Sequence, residues 1–541
     1  MRIDRRLLLK GAAAGAGVLA LPARAQTFAA RGFTHNVASG EPGPNRVMLW
    51  TRYLPEAGGS GMLRWQVASD AEFSRVLAEG QAEATPERDW CVKPVATGLA
   101  PGGWYYYRFL DAVGQASAVG RTRTLPDGAV GKFTLGVFSC ANLPFGYFNA
   151  YAHAAARPDL DLLVHLGDYL YEYQRGVYPS LGEAVPERPI LPQGEAFALA
   201  DYRLRYATYR SDPDLQRLHQ LFPMIMMWDD HESANDSWRG GAQNHQPATE
   251  GDWEVRKAAS MRACREWLPV SEESWASYRI GDLADLFRPE TRLSGRVQQL
   301  NLGAFLEGRS DIAQAFADFR DGPWQSPQRT MLGLEQEAWL AGGLRRSVAD
   351  GVKWQVLCQQ VIMGSMSLGP ELAALRNEGA DAAARAGTEL SLAASRAGLP
   401  LALDIWDGYP AARARLLKAG QEAAANLIVL SGDSHNAWAF ELDHDGKAAG
   451  AEFAGHSVSS PGKERGSRQD PATLARAYIA DNRQLKWAET SRRGYVTLEL
   501  TPGRATGEWV FMDTVRQPSL ALASRHALSV ARGTNRFAEV R

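Results

Sequence analysis

The chain is poor in cysteine. It has four in 541 residues (Cys91, Cys140, Cys264 and Cys358), and no two stand in a Cys-x-x-Cys spacing. That excludes cysteine-built metal knuckles and a disulfide scaffold. A basic excess is also missing: 59 Lys and Arg face 61 Asp and Glu, for a net charge of −2. A nucleic-acid-binding module would ordinarily carry surplus cations to neutralise phosphates, so none is expected. A phosphate substrate stays open, because a metal ion can supply positive charge locally. No run after the N-terminus is apolar and long enough to span a bilayer, so no stable membrane anchor is expected. Internal repeats and long low-complexity tracts are absent as well. What is there is ordinary for an enzyme-sized globular protein, with 45% hydrophobic and 22% charged residues.

Residues 1–25 read as an export address. Arg5-Arg6 precede Leu7-Leu8-Leu9 and a Gly/Ala-rich apolar run to Leu21, and Ala23-Arg24-Ala25 supplies a small-x-small cleavage pattern. The run is too short and too glycine-diluted for a membrane helix. The arginine pair ahead of a mild apolar core resembles a Tat signal, against the plainer reading of a Sec signal. The expected location is the periplasm or outside the cell, with the Tat export machinery as a partner and a monomer as the oligomeric state.

Residues 27–126 are strand-like and turn-rich. Val47–Trp50 and Leu63–Val67 are short β candidates, and Leu99–Tyr107 resembles the corner and following strand of a fibronectin-III-like β-sandwich. Over 131–515 the texture changes to short apolar runs alternating with long Ala/Leu/Glu/Arg stretches, the pattern of an α/β domain around a buried sheet. Ala373–Ala397 reads as a peripheral helical insertion. A polar tail, 516–541, follows, with a helix that would close over a pocket as one reading.

The informative pattern recurs four times. An apolar run ends abruptly in metal-competent or acid–base side chains: Phe133–Phe138 at Ser139-Cys140, Leu162–Leu166 at Gly167-Asp168, Met224–Trp228 at Asp229-Asp230-His231-Glu232, and Leu427–Leu430 at Ser431-Gly432-Asp433-Ser434-His435. Functional groups gather at the carboxyl ends of such strands. Four endings on strands that could share one sheet suggest one site. Asp168, Asp230 and Asp433 packed together would repel unless cations separate them. A thiolate from Cys140, a phenolate from Tyr171 and an imidazole from His435 make a strongly donating set suited to trivalent iron. An oxygen-only position suits calcium, manganese or magnesium. Singly, each residue has a plainer explanation: a core thiol, a helix cap, a turn. Cys91, Cys264 and Cys358 keep that reading, as buried thiols or one disulfide pair.

Cys140, Gly167-Asp168-x-x-Tyr171-Glu172, Trp228-Asp229-Asp230-His231-Glu232 and Gly432-Asp433-x-His435 together resemble the signature series of the PhoD-like alkaline phosphatases, in the calcineurin-like metallophosphatase superfamily. Further segments in the same order extend the resemblance, among them Val37–Pro42, Gly241–Gln246, Arg329–Gly333 and Trp406–Pro410. It implies a four-layer α/β/β/α catalytic sandwich. It implies Fe3+ held by Cys140, Asp168, Tyr171 and His435, and Ca2+ held by Asp168, Asp230, Asn235 and Asp433. Asn235 rests on its offset of five from Asp230. His231 would bind phosphoryl oxygens and protonate the leaving group. One departure is visible: Arg288-Pro289-Glu290-Thr291-Arg292 lacks an aspartate expected before Thr-Arg, which puts a peripheral loop in doubt. Arg203 and Arg210 are candidate phosphate grips, against the reading of helix-surface charges. The expected function is hydrolysis of phosphate monoesters and diesters by metal-activated water. A phospholipase of D-type outcome and a non-catalytic surface-binding protein are the alternatives.

Overall fold

The computed structural model describes residues 31–465 and 467–540. The export address therefore lies outside the described residues. Two large sheets and one small one are formed. The first has eleven strands. At its centre Phe133–Phe138, Leu162–His165, Pro223–Met226 and Gly32–Gly40 run parallel, and the first three are buried along their whole length. The second has seven strands, with Ala284–Arg288, Trp354–Cys358, Leu427–Ser431 and Lys447–Ala454 parallel at its centre.

The inner faces of the two sheets meet in one core, where Leu135, Val137 and Val164 of the first join Val356, Ile428 and Phe453 of the second. Helices such as Leu199–Arg210 and Trp253–Trp267 cover the outside of the first sheet, and Leu334–Ala349 and Pro410–Glu422 the outside of the second. The chain is a mixed α/β protein.

Four expectations are revised. The four chemistry-bearing strands do not share a sheet: three lie in the first and Leu427–Ser431 in the second. The site forms where the carboxyl edges of two facing sheets converge.

The N-terminal segment does form two packed β layers. Gly61–Ala68, Val76–Ala84, Trp104–Leu110 and Gly120–Arg123 make one, and Tyr105 donates from its hydroxyl to the Ala100 carbonyl (2.8 Å) at the corner. The other layer is not separate, because Ser39 and Gly40 pair with Pro223 and Met224 and so continue the eleven-stranded sheet.

The tail forms no helix over a pocket. Leu522–Ala531 pairs antiparallel with Arg504–Met512 at the sheet edge, two strands away from Phe133–Phe138, and His526 stacks on Trp487 of the facing sheet (4.1 Å). Alternation in Leu-Ala-Ser-Arg-His-Ala-Leu-Ser-Val is weak in sequence, and the exposed edge of Arg504–Met512 makes it a strand.

The Ala-rich segment forms helices Pro370–Asn377 and Ala382–Arg396, but Leu372, Ala373 and Leu392 are buried in the outer core of the second sheet. It is not merely peripheral.

Candidate functional site

Three of the four strands leave their sheets through residues in left-handed backbone conformation; Pro223–Met226 does not. Cys140, Asp168, Asp433 and His435 have φ of 59°, 52°, 62° and 61°. A non-glycine residue there costs on the order of 1 kcal/mol or more, and such residues cluster where a site over-determines the backbone. Gly167, at φ 108°, does what no other residue can. A Cβ there would lie 2.5 Å from Asp229 Cβ and 2.6 Å from its backbone nitrogen, so glycine lets two strand ends touch. We expect Gly167→Ala to separate those ends, lower the unfolding free energy by roughly 2–4 kcal/mol, and abolish turnover. Wild-type stability in chemical denaturation would refute this.

Cys140, Asp168 and His435 bring ligand atoms within 4.8 Å of one another, all three buried or half-buried. Tyr171 Oη lies 3.0 Å from Asp168 Oδ2 and 3.1 Å from His435 Nε2, and Ser460 Oγ is 2.7 Å from it. His435 Nδ1 donates to the Pro461 carbonyl (2.8 Å), which leaves Nε2 as the lone-pair nitrogen facing the cluster. Burial, then Asp168, pushes the Cys140 thiol and the Tyr171 phenol well above their usual range. Asp168 Oδ1 is buried without a hydrogen-bond partner. An orphaned carboxylate oxygen beside a thiol, a phenol and an imidazole is a strongly donating set that fits a highly charged metal ion.

Asp168 also groups with Asp230 and His231, and Asp230 with Asp229 and Asp433. Burial pushes Asp433 up to about 6, with Asp230 and Asp404 adding repulsion, although Arg292 opposes it. Burial opposes charge on Asp230 too, yet Arg292 and His231 hold it below the carboxylate range. Burial alone would lower His231. Asp230, Glu172 and Asp168 outweigh it and raise the imidazole well above its usual value. Glu172 accepts from His231 Nδ1 at 2.7 Å, from Asn235 N at 2.8 Å and from Asn244 Nδ2 at 2.9 Å. Glu232 joins two strand ends by accepting from Asp229 N (2.8 Å) and from Asp168 N (3.2 Å).

Cys140, Asp168, Tyr171, Asp230, His231, Asp433 and His435 thus come together. Asn235 sits beside them by its backbone, while its side-chain amide donates to Gln243 Oε1 (3.0 Å). Arg203 and Arg210 do not reach the cluster. Arg203 is paired with Glu266 (2.7 and 2.8 Å), and Arg210 is buried with its guanidinium 4.2 Å from the Trp50 ring. Seven residues apart on one helix, they share the face turned to the N-terminal strands. The site-facing arginine of that helix is Arg205, which holds the carbonyls of Tyr171 and Tyr173.

The central arginine is Arg292, in the segment expected to be peripheral. Fully buried, it donates from Nε to Asp229 (2.5 Å), from one terminal nitrogen to Asp433 (3.1 Å) and from the other to Asp404 (2.7 Å). Glu290, in the Arg288–Arg292 segment that lacks the expected aspartate, shapes the turn by accepting from Trp228 Nε1 and from the backbone of Arg292 and Leu293. The Thr-Arg pair was the available signal. Asp404 and Asp236 carried none. All four cysteines are free and buried, so no disulfide forms.

Metal-competent carboxylates, a thiol, a phenol and imidazoles on converging strand ends of a two-sheet α/β fold define a class of phosphoric ester hydrolase. The chain belongs to the PhoD-like phosphatases: that family model matches residues 135–509, and the model of the family's N-terminal domain matches 19–126. Alkaline phosphatase D of Bacillus subtilis (strain 168) is 32% identical over 96% of this chain and 86% of that protein. The solved structure of PhoD superposes with a TM-score of 0.78 at 31% identity, covering 95% of this chain and 93% of the other. Purple acid phosphatase PPD1 from yellow lupin seeds (Lupinus luteus) shares the fold at a TM-score of 0.50 and 10% identity, over 92% of this chain and 74% of that one. The chain is a phosphoesterase.

Proposed function

We propose that the protein is an exported alkaline phosphatase that hydrolyses phosphate monoesters and diesters at a two-metal centre in a four-layer catalytic domain. Cys140, Asp168, Tyr171 and His435 would hold Fe3+, and Asp168, Asp230, Asn235 and Asp433 would hold Ca2+, with Mn2+ or Mg2+ as substitutes at the oxygen site. The observation that carries the reading is Asp168, which belongs to both ligand groups and keeps one buried oxygen without a partner. Bound there, such ions supply positive charge to the phosphoryl oxygens and activate water for in-line attack. The chain's own residues do the rest. Glu172 fixes His231 through Nδ1, so that Nε2–H is the proton offered to a phosphoryl or leaving-group oxygen. Arg292 spaces Asp229, Asp433 and Asp404 at hydrogen-bond distances, which sets the carboxylates before any ion enters. Tyr171 and Tyr178 approach His435 and screen it from bulk water. The Tat-type address over 1–25 would deliver the folded, loaded monomer to the periplasm or beyond.

Elemental analysis of the purified protein, coupled to hydrolysis of p-nitrophenyl phosphate, its bis-ester and phosphatidylcholine, tests this reading. Iron with a divalent ion and turnover of the first two supports it. Headgroup cleavage alone would replace it with the D-type phospholipase, and a metal-free, inert protein would leave a binding function. Cys140→Ser is expected to lose iron and the visible iron–phenolate absorption while remaining folded. A colourless wild type sinks the ferric assignment.

A further inference from the structure

A cavity of about 540 Å3 opens directly beside this site. Its wall includes Asp236, Trp238, Gln243, Gln298, Gln299 and Asn301, and leucines of the 300–302 and 401–403 segments complete it. Two hydrogen bonds tie the wall to the candidate ligands: Asp236 N donates to Asp230 Oδ2 (2.7 Å), and Gln243 Oε1 accepts from Asn235 Nδ2 (3.0 Å). A group joined to a phosphoryl group bound at the proposed metal centre would therefore lie next to this space.

The wall has a definite chemistry. Its carboxylate is Asp236, and no lysine or arginine lines it. Gln243 has its Nε2 left over, Asn301 uses Oδ1 on Ala304 N (3.0 Å) and keeps Nδ2, and Gln299 spends Nε2 on the Asp236 carbonyl (3.0 Å) and keeps Oε1. The Gln298 amide and the Trp238 indole N–H make no hydrogen bond among the described residues. Trp238 is fixed in advance: its N–H and carbonyl pair with Gly241 (2.8 and 3.3 Å), and a Cβ on Gly241 would strike the indole. One aromatic wall, spare amide donors and acceptors, and one carboxylate suit a ligand with an apolar CH face and hydroxyls that donate and accept. The Asp236 carboxyl can accept from ligand hydroxyls.

We propose that this cavity is the subsite for the alcohol portion of the ester and that it takes an uncharged sugar ring, Trp238 stacking on it and Gln298 and Asp236 binding its hydroxyls. This rests on the phosphoesterase reading and names its substrate class. Only the fold sets Trp238 in a cavity wall. The helix Ala382–Arg396 adds Ser391, Ala394 and Ser395 to the lining.

Two measurements on the metal-loaded full chain test it. In the first, kcat/KM for glucose 6-phosphate is compared with that for methyl phosphate and for cyclohexylmethyl phosphate, a ring of similar size without hydroxyls. The wild type should prefer the sugar ester over methyl phosphate by about tenfold or more, a contact energy typical of ring packing plus a hydrogen bond. Trp238→Leu and Gln298→Ala should each reduce that ratio several-fold, and Trp238→Phe should restore part of it. In the second, saturation-transfer NMR with methyl α-glucopyranoside should show transfer to the ring CH protons in the wild type and little in Trp238→Leu. No preference over methyl phosphate, a preference for the cyclohexylmethyl ester, or no saturation transfer overturns the proposal. Retained transfer in a protein inert to all three esters upholds the sugar site and defeats the phosphoesterase reading.

Discussion

Asp168→Ala is expected to lose metal and activity together, with turnover falling roughly 10³-fold or more. Asp168 is the one residue in both the Cys140/His435 group and the Asp230/His231 group, and it is buried with Oδ1 unpartnered. Removing it leaves Tyr171 and Cys140 without the carboxylate between them and deletes the shared oxygen of the proposed pair. The left-handed φ of 52° at this position complicates alanine, which tolerates it less well than Asp or Asn. Asp168→Asn separates the two effects: it keeps the shape and the backbone preference but lacks the charge, so it should fold as the wild type does and still be metal-poor and inactive. Elemental analysis and p-nitrophenyl phosphate turnover on both variants check this. An asparagine variant with full metal content and activity would end the bridging assignment.

Arg292→Met should destabilise the protein by about 3–5 kcal/mol, because it breaks a buried ionic network from one side. Arg292 is fully buried and faces Asp229, Asp404 and Asp433, with Asp230 at 3.8 Å. Without the guanidinium, burial and mutual repulsion would drive some of these carboxyls to take up protons, and the pre-set spacing of Asp433 and Asp230 would be lost. Arg292→Lys should rescue little. One ammonium cannot span three carboxylates that a planar fork meets in three directions. Chemical denaturation and metal titration measure the two consequences. A lysine variant with wild-type stability and metal affinity would show that charge alone, not fork geometry, is what the site needs.

Much of this site was legible in the sequence because its residues stand at strand ends, and strand ends are marked by abrupt polarity changes. Phe133–Phe138 ending in Ser139-Cys140 announces itself, as does Leu427–Ser431 ending in Gly432-Asp433. The metal-competent set came from those four endings. Arg292, Asp404 and Asp236 carry no such mark. They lie in irregular segments whose path depends on what they pack against. Arg203 and Arg210 misled for a related reason: the helix was recognisable, but which face met the site was not, and the inward arginine was Arg205. The tail Leu522–Ala531 became a strand because Arg504–Met512 offered an open edge, a partner that local pattern cannot show.

Alone, the sequence determined the chemistry: which donors exist, that they are few, and that strands present them at their carboxyl ends. Periodicity and residue type are local properties, and they survive without a fold. Which donors meet was decided by tertiary structure. Asp433 and His435 come from a different sheet than Cys140, Asp168 and Asp230, and only face-to-face packing of the two inner cores brings them within reach. The same packing puts Arg292 among the carboxylates and Trp238 on a cavity wall. Contacts between residues more than a hundred positions apart are set by how buried surfaces fit, and that is a property of the assembled layers.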